Sequence, residues 1–346
     1  MKKLLIDANH HSIRLISIFK NQDTKEEGYA LWRYTFLKNI FEYIEKFGAD
    51  EVILAVDSKI NWRKKIFPWY KADRKIKRRA EQEKKDAEGH WFNTQEYFEQ
   101  YQRLLEDIKQ NFPFRVVCVE GAEGDDVVAI LVDHFVDVDE KVIVTADHDY
   151  IQLLRIPNTK VYSPLTRKYL ETDDPKQFLL TKLMMGDKGD FVPSIDDKHS
   201  FKEEFLEYCV DALDVAKNIS NVKIKLDNNE RLLYESYLSY YSKVDGRVSP
   251  SRCSRFTERK ALGVINNDTL KEMLDENPEM KRKFLRNNKL MNLQAQPKKL
   301  KELIIQEYDK CELPDIKGLF KYFIKNKLNG FIENINKITS ILSSLT

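Results

Sequence analysis

The chain has little cysteine: four in 346 residues, at Cys118, Cys209, Cys253 and Cys311. They lie far apart and no pair has zinc-ligand spacing, so a structural zinc site drops out and a reduced, cytoplasmic chain is expected. No segment approaches the ~20 consecutive apolar residues of a membrane helix, and no membrane association is expected. The apolar run after Met1-Lys2-Lys3 is only a few residues long, too short for a signal peptide. There is no internal repeat. No glycine-rich phosphate loop occurs, which argues against a nucleoside triphosphatase. Asp7-Ala8-Asn9 lacks the second Asp of an aspartyl phosphatase. The six histidines form no metal pattern; His10 and His11 follow Asp7 closely, and His148 falls between two acids and is expected to point away. An excess of one charge is also missing. The 58 Lys and Arg stand against 56 Asp and Glu, so only the distribution of charge can speak about partners.

What is present is a globular composition, 42% hydrophobic with 19 Phe and 16 Tyr, and enough length for one large or two moderate domains. Short β-rich apolar runs in the first half each end at an acid. Leu4-Leu5-Ile6 ends at Asp7, and Val52 to Val56 at Asp57. Val116 to Val119 ends at Glu120, just before Glu123. Val142 to Thr145 ends near Asp147. These read as buried parallel strands. Stretches of helical period lie between them, at 31–47, 97–112 and 127–135, the last with Asp125 and Asp126 placed to favour a helix start. Strands alternating with helices predict an α/β class: a central, mainly parallel sheet flanked by helices. Ligands of such sheets bind at the carboxyl ends of the strands, where these acids fall. From about residue 173 the pattern turns helical, at 177–185, 201–215, 230–241, 270–285 and 300–308. A second, helical domain is expected over 191–346, after a first over 1–190. The stretch 194–245 is lysine-rich and weakly patterned.

Nine acids make up the candidate metal set: Asp7, Asp57, Glu123, Asp125, Asp126, Asp147, Asp149, Asp187 and Asp190. Glu123 and Asp126 share a face if a helix begins there. Asp147 and Asp149 share one if the backbone is extended. Asp187 and Asp190 flank a Gly-Asp-Lys-Gly-Asp turn. Any one of them is an ordinary cap by itself. Together at strand ends they would repel one another without a cation, and hard oxygen ligands select Mg²⁺ or Mn²⁺ over zinc. Two such ions ~4 Å apart can activate water and stabilise a leaving oxygen in phosphodiester hydrolysis.

The motifs Leu5-Ile6-Asp7-Ala8-Asn9, Ala55-Val56-Asp57, Glu123-Gly124-Asp125-Asp126, Thr145-Ala146-Asp147-His148-Asp149 and Gly186-Asp187-Lys188-Gly189-Asp190 occur in the order found in flap endonucleases and polymerase-associated 5′ nucleases. The chain resembles that family from Leu5 to about Ile332. The resemblance implies a PIN-like 5′-nuclease core and two Mg²⁺, with Mn²⁺ as a substitute. Asp7, Asp57, Glu123, Asp125 and Asp147 would surround the first ion, and Asp149, Asp187 and Asp190 would serve the second. Phe191 departs from the pattern, standing where the family more often has Asn; a local change in that turn is expected.

Residues 63–85 hold eleven Lys or Arg against Asp73, Glu81 and Glu83. Trp62, Phe67, Trp69 and Tyr70 are interleaved with them. Cations track phosphates and rings stack bases, so single-stranded nucleic acid suits this segment, whereas a purely solvated helix has no need of the aromatics. Trp62-Arg63-Lys64 and Tyr70-Lys71-x-x-Arg74 are similar to the base of the family's helical arch, placed here near 60–95. By that resemblance Lys71, Arg74 and Arg63 would contact the scissile phosphate, with Trp62, Tyr70, Lys75 and Arg78 along the strand. Residues 246–255 read as a basic, hydroxyl-rich loop whose Arg247, Arg252 and Arg255 suit a duplex backbone. The amphipathic run 319–341 reads as core packing, with a docking site for a replication protein as the sharper alternative.

The function expected is a 5′→3′ exonuclease and flap endonuclease that removes RNA primers and adjacent DNA in replication. Its partners would be branched or nicked DNA and RNA–DNA hybrids with free 5′ ends, and a single-strand-binding protein or sliding clamp. A monomer is expected, in the host cytoplasm for a bacteriophage member. A PIN-like ribonuclease is one alternative, but it would lack the arch and the long helical domain. A DNA-binding replication accessory without catalysis is another. The intact acid set speaks against it, since a binder gains from fewer negative charges near phosphate.

Overall fold

The computed structural model describes the chain except residues 68–69, 72–73, 75–77, 79–80, 83–84, 197–240, 245–246, 251–255 and 346, and it gives the backbone alone at 241–244 and 247–250. Two compact units emerge. One joins Met1–Trp62, Lys85–Pro175 and Leu293–Thr346; the other joins Arg63–Lys84 and Lys176–Asn292.

The first unit is built on a six-stranded sheet. Its strands are β1 (Lys2–Asp7), β2 (Glu51–Ala55), β3 (Arg115–Val117), β4 (Glu140–Val144), β5 (Thr159–Ser163) and β6 (Lys168–Leu170). The order is β3-β2-β1-β4-β5-β6, parallel except for β6. The four acid-terminated runs are thus strands. β5 and β6 carry too few apolar residues in sequence to announce themselves. Successive side chains serve opposite faces. Leu4, Ile6, Val52, Leu54, Val142 and Val144 enter a core with α1 (Ala8–Phe19), α2 (Lys25–Phe47) and α3 (Thr94–Asn111). Leu5, Ile53, Ala55, Ile143 and Val161 enter another with α4 (Gly124–His134) and the helix Lys298–Lys310. Burial on both faces is why these strands read as continuous apolar runs.

The chain moves outward from β1 through β2 to β3, then restarts beside β1 with β4 and continues to β5. β1 and β4 therefore flank a topological switch point, where an open α/β sheet leaves a crevice for ligand. Asp7 ends β1, Asp57 lies two residues beyond β2 and Asp147 three beyond β4. At the opposite edge Lys3, Glu51, Arg115 and Tyr308 form a buried ionic network. Tyr308 donates to Glu51 at 2.8 Å, and both Lys3 and Arg115 bond the same carboxylate. This network ties the helix Lys298–Lys310 to the start of the sheet. Within 319–341, Leu319, Tyr322, Phe323, Phe331 and Ile338 belong to the α1–α3 core, so core packing accounts for that run.

In the second unit Phe67 and Tyr70 pack with Leu179, Leu183, Phe191, Val192, Leu290 and Met291. Helix α5 (Pro175–Met185) leads into a tight turn at Gly186, whose φ is +72°. A Cβ there would stand 2.4 Å from the Val192 oxygen, so only glycine fits. The expected helix over 270–285 is two, Leu270–Glu276 and Pro278–Met291. Asn277 caps the second by accepting the Met280 N–H at 3.0 Å, and Pro278 sits where a helix's first N–H is unpaired anyway. The segments 201–215 and 230–240 lie outside the described residues. Residues 246–255 are not simply a loop: Arg247–Pro250 is a strand antiparallel to Tyr241–Val244. Asp245 and Gly246 between the two strands lie outside the described residues.

Candidate metal centre

Three of the seven candidate acids of the first unit, Asp7, Glu123 and Asp147, are also helix caps. Asp7 ends β1 and caps α1, its Oδ1 accepting the His10 N–H at 3.0 Å. Asp147 caps the 3₁₀ turn His148–Arg155 by accepting the Asp149 N–H at 2.9 Å. The 147–149 stretch is therefore turned, not extended, because Asp147 competes with the strand for the backbone. Glu123 caps α4, and Asp125 and Asp126 occupy its first turn. The helix starts hard against β2: a Cβ on Gly124 would lie 3.2 Å from both the Ala55 oxygen and Asp57 Oδ1. This approach lets the Gly124 N–H donate to Asp57 Oδ1 at 2.7 Å. Partial positive charge at each helix start thus offsets part of the carboxylate repulsion.

Glu123, Asp125 and Asp126 bring carboxylate oxygens within 4.8 Å of one another, a donor set that suits a hard divalent cation. Within this trio Asp126 differs. It is fully buried, and its Oδ2 accepts both the Trp62 indole N–H at 3.0 Å and the Glu123 backbone N–H at 3.1 Å. Expected as a ligand, it stays within the acidic trio and at the same time holds Glu123 through Oδ2. Trp62, expected to stack a base, is a core side chain bonded to that scaffold.

Three residues missed by sequence reasoning organise the centre. Tyr150 is fully buried and donates to Asp7 Oδ2 at 3.2 Å. Burial, and then the carboxylates of Asp7, Asp125, Asp147 and Asp57, hold its hydroxyl protonated far above the usual tyrosine range. Asp7 is the one of these that bonds the hydroxyl; the other three act on it through their charge. Asn9 Oδ1 accepts the Asp57 N–H at 2.9 Å and the Tyr101 hydroxyl at 3.1 Å. Asn9 stood inside a quoted motif, whereas nothing in sequence marked the two tyrosines. His10 is lowered by burial, against the pull of Asp147.

The second unit carries its own acid–base cluster. Asp190 receives the Tyr70 hydroxyl at 3.0 Å and Arg74 Nη2 at 2.7 Å, and Lys71 Nζ lies 3.8 Å away. The Lys71 N–H also donates to the Asp190 carbonyl at 2.9 Å, with Lys71 at φ +54°. Asp187 binds Lys182 at 2.7 Å and accepts the Asp190 N–H at 3.0 Å. Burial raises the Asp187 carboxyl, but Lys182 and these N–H groups outweigh it and hold the pKa below the ordinary value. Arg63, expected on phosphate, is fully buried and donates Nε to the Leu290 carbonyl at 2.7 Å. Tyr70, expected to stack a base, is buried with its hydroxyl on Asp190. Arg78 is itself helical and exposed; Lys75, Arg252 and Arg255 lie outside the described residues, and Arg247 is described by backbone only. Among the described residues no helix is long and apolar enough to cross a membrane.

A parallel sheet whose switch point gathers carboxylates from three strand ends and a helix start is the framework of a metal-dependent nuclease. Residues 2–181 match the 5′-3′ exonuclease, N-terminal resolvase-like domain, and the chain belongs to the 5′-3′ exonuclease family. Residues 213–338 match the C-terminal domain of T4 RNase H. The whole Ribonuclease H of Enterobacteria phage T4 is 24% identical over 96% of this chain and 94% of its own length. A 5′-3′ exonuclease of Buchnera aphidicola subsp. Schizaphis graminum (strain Sg) is 26% identical over 66% of this chain and 74% of its own. Among solved structures, the zinc-bound T5 5′-exonuclease aligns with a TM-score of 0.47 at 18% identity, over 83% of this chain and 100% of that one.

Proposed function

We propose that the chain is a 5′→3′ exonuclease and flap endonuclease that removes RNA primers and adjacent DNA during replication. Its substrates are branched or nicked DNA and RNA–DNA hybrids with free 5′ ends. The observation that carries this reading is the acidic trio Glu123, Asp125 and Asp126 at the start of α4, with Asp7, Asp57 and Asp147 at or just beyond the ends of β1, β2 and β4 at the switch point. Asp7, Asp57, Glu123, Asp125 and Asp147 are the proposed ligands of a first Mg²⁺, with Asp149 beside them. Asp187 and Asp190 are proposed for a second ion, which competes there with Lys182, Lys71 and Arg74. When bound, such ions lower the pKa of water and neutralise charge on a phosphoryl group.

The chain's own residues do the rest. Tyr150 and Asn9 fix Asp7 and Asp57 so that little reorganisation accompanies binding. Trp62 and Asp126 fix Glu123 in the same way. Lys71 and Arg74 are proposed to meet the reacting phosphate, where a positioned cation stabilises the charge that grows in the transition state. For domains, we propose a nuclease domain over 1–190 with an arch near 60–95, and a helical domain over 191–346 that grips duplex through elements including Arg247, Arg252 and Arg255. The protein is proposed to act as a monomer in the cytoplasm, with a single-strand-binding protein or sliding clamp as partner.

Incubation with Mg²⁺ and end-labelled flap, nicked and RNA-primed substrates tests the reading. Short products released from the 5′ end, and cleavage at the base of a flap, are expected. Cleavage from the 3′ end, or none on any of the three, would overturn it.

A further inference from the structure

The first unit contains a cavity of about 520 Å³ between α1, α2 and the turn joining β5 to β6. None of the candidate metal ligands lines it. Arg14, Lys46 and Arg167 face it against a single carboxylate, Glu42, which is itself paired with Lys38 at 3.6 Å. The Arg14 Nε is shut off from solvent and has no hydrogen-bond partner. An orphaned, buried guanidinium N–H costs free energy, which a small turn of the Arg14 side chain toward an acceptor in the cavity recovers. Arg14 and Arg167 both bear on the Tyr43 hydroxyl: burial pushes it up to about 12, while the two guanidinium groups pull the other way. Lys46 is held over the Tyr162 ring at 3.9 Å, with its ammonium donating to the Tyr162 hydroxyl at 2.6 Å. Two guanidinium groups, an ammonium and a phenol therefore converge, flanked by two aromatic rings.

We propose that this cavity is a non-catalytic binding site for a nucleotide unit carrying a phosphate. The forked guanidinium matches phosphate oxygens two at a time. Tyr43 and Tyr162, both buried, give the cavity an aromatic wall for the apolar part of a nucleoside, with Lys46 over the Tyr162 face. The volume falls within the ~300–1,000 Å³ of small-molecule sites. The turn bearing Arg167 follows the carboxyl end of β5, which is parallel to β4, so the cavity opens at the same sheet edge as the acids. Two sources supply such a unit, the substrate strand and a released mononucleotide. The site rests on the cavity's own residues and stands apart from the nuclease reading.

Calorimetric titration of the full chain in excess EDTA, which removes metal-held phosphate at the acids, decides it. The probes are a nucleoside monophosphate, the bare nucleoside, inorganic phosphate and a 5′-phosphorylated oligonucleotide. Phosphorylated nucleotide is expected to bind and bare nucleoside not. Arg14→Gln and Arg167→Gln should each weaken binding roughly tenfold, the loss of one charge-assisted hydrogen bond. Arg167 is exposed on a turn, so its variant keeps the test intact if Arg14→Gln does not fold. Arginine-dependent binding of the monophosphate assigns the site to released nucleotide; such binding confined to the oligonucleotide assigns it to the strand. Both outcomes uphold the site. No arginine-dependent binding of either probe overturns it. Inorganic phosphate binding as tightly as the monophosphate overturns the nucleoside half.

Discussion

The Trp62 indole N–H and the Glu123 backbone N–H share one acceptor, Asp126 Oδ2, at 3.0 and 3.1 Å. Asp126 is fully buried, so removing a donor leaves a desolvated carboxylate undersupplied. Trp62→Phe is expected to destabilise the protein by about 1–3 kcal/mol, read from the urea midpoint. It should also weaken metal binding through Glu123. A variant as stable as the parent would mean that the indole contact carries no energy.

Asp7→Asn and Asp147→Asn test ligation against capping. An amide oxygen can still accept the His10 or Asp149 N–H, so both variants should keep the helix starts and fold. Each removes negative charge from a repelling group and should leave the metal-free protein at least as stable. Cleavage should fall by more than about a hundredfold, beyond the loss typical of an outer-sphere partner. Near-normal turnover in a variant with native circular dichroism removes that residue from the ligand set.

Metal dependence follows from the all-oxygen set. Activity should vanish in excess chelator and return with Mg²⁺ or Mn²⁺. Ca²⁺ should bind and compete without supporting turnover, since it takes longer bonds and more ligands. Sustained cleavage in chelator is the contrary result.

Lys71→Ala should lower turnover by about 10²–10³-fold and substrate affinity far less, as expected of a charge used mainly in the transition state. Equal losses in kcat and in affinity would make it an ordinary binding contact. Because Lys71 sits at φ +54°, the Asn variant separates backbone strain from charge: Asn accepts that backbone and lacks the ammonium.

His11 supplies a pH dependence of stability. Burial, with Arg14 and His10 nearby, lowers its pKa from 6.5 to about 3. Both ring nitrogens are buried without hydrogen-bond partners, between Phe36 and Tyr43. Between those values the unfolded chain binds a proton that the folded chain refuses, so stability falls as pH drops through the window. The slope is at most about 1.4 kcal/mol per pH unit. His11→Leu should flatten the curve of denaturation midpoint against pH between about 6 and 4 by that amount. Parallel curves for parent and variant would refute the assignment.

Legibility in the sequence divided along physical lines. β1, β2 and β4 are buried on both faces, so their residues must be apolar and their ends stand out. The strand-end acids stood out for the same reason. Trp62, Tyr70 and Arg63 misled because composition cannot tell which way a ring or a guanidinium turns. In a basic segment they looked solvent-facing, yet each is within a tenth of full burial and bonded to a carboxylate or carbonyl. Tyr150 and Tyr101 gave no signal because they act through tertiary contact alone. Phe191 was marked as a departure, and the turn there does have a positive φ, +59°, which Asn adopts readily and Phe does not. Its ring is buried with Leu183 and Val192, and that packing offsets the strain.

The helix Lys298–Lys310 closes over α4, and its Tyr308 completes the buried network at Lys3 and Glu51. The first unit thus takes its last wall from the last part of the chain, Leu293–Thr346. Synthesis runs from the N-terminus, so the strand-end acids Asp7, Asp57 and Asp147 leave the ribosome well before the helix Lys298–Lys310 that packs on α4. During that interval the apolar face of α4 has no cover. The sheet and α4 are therefore joined to that helix by a contact of long sequence separation, which costs loop-closure entropy and forms late in folding.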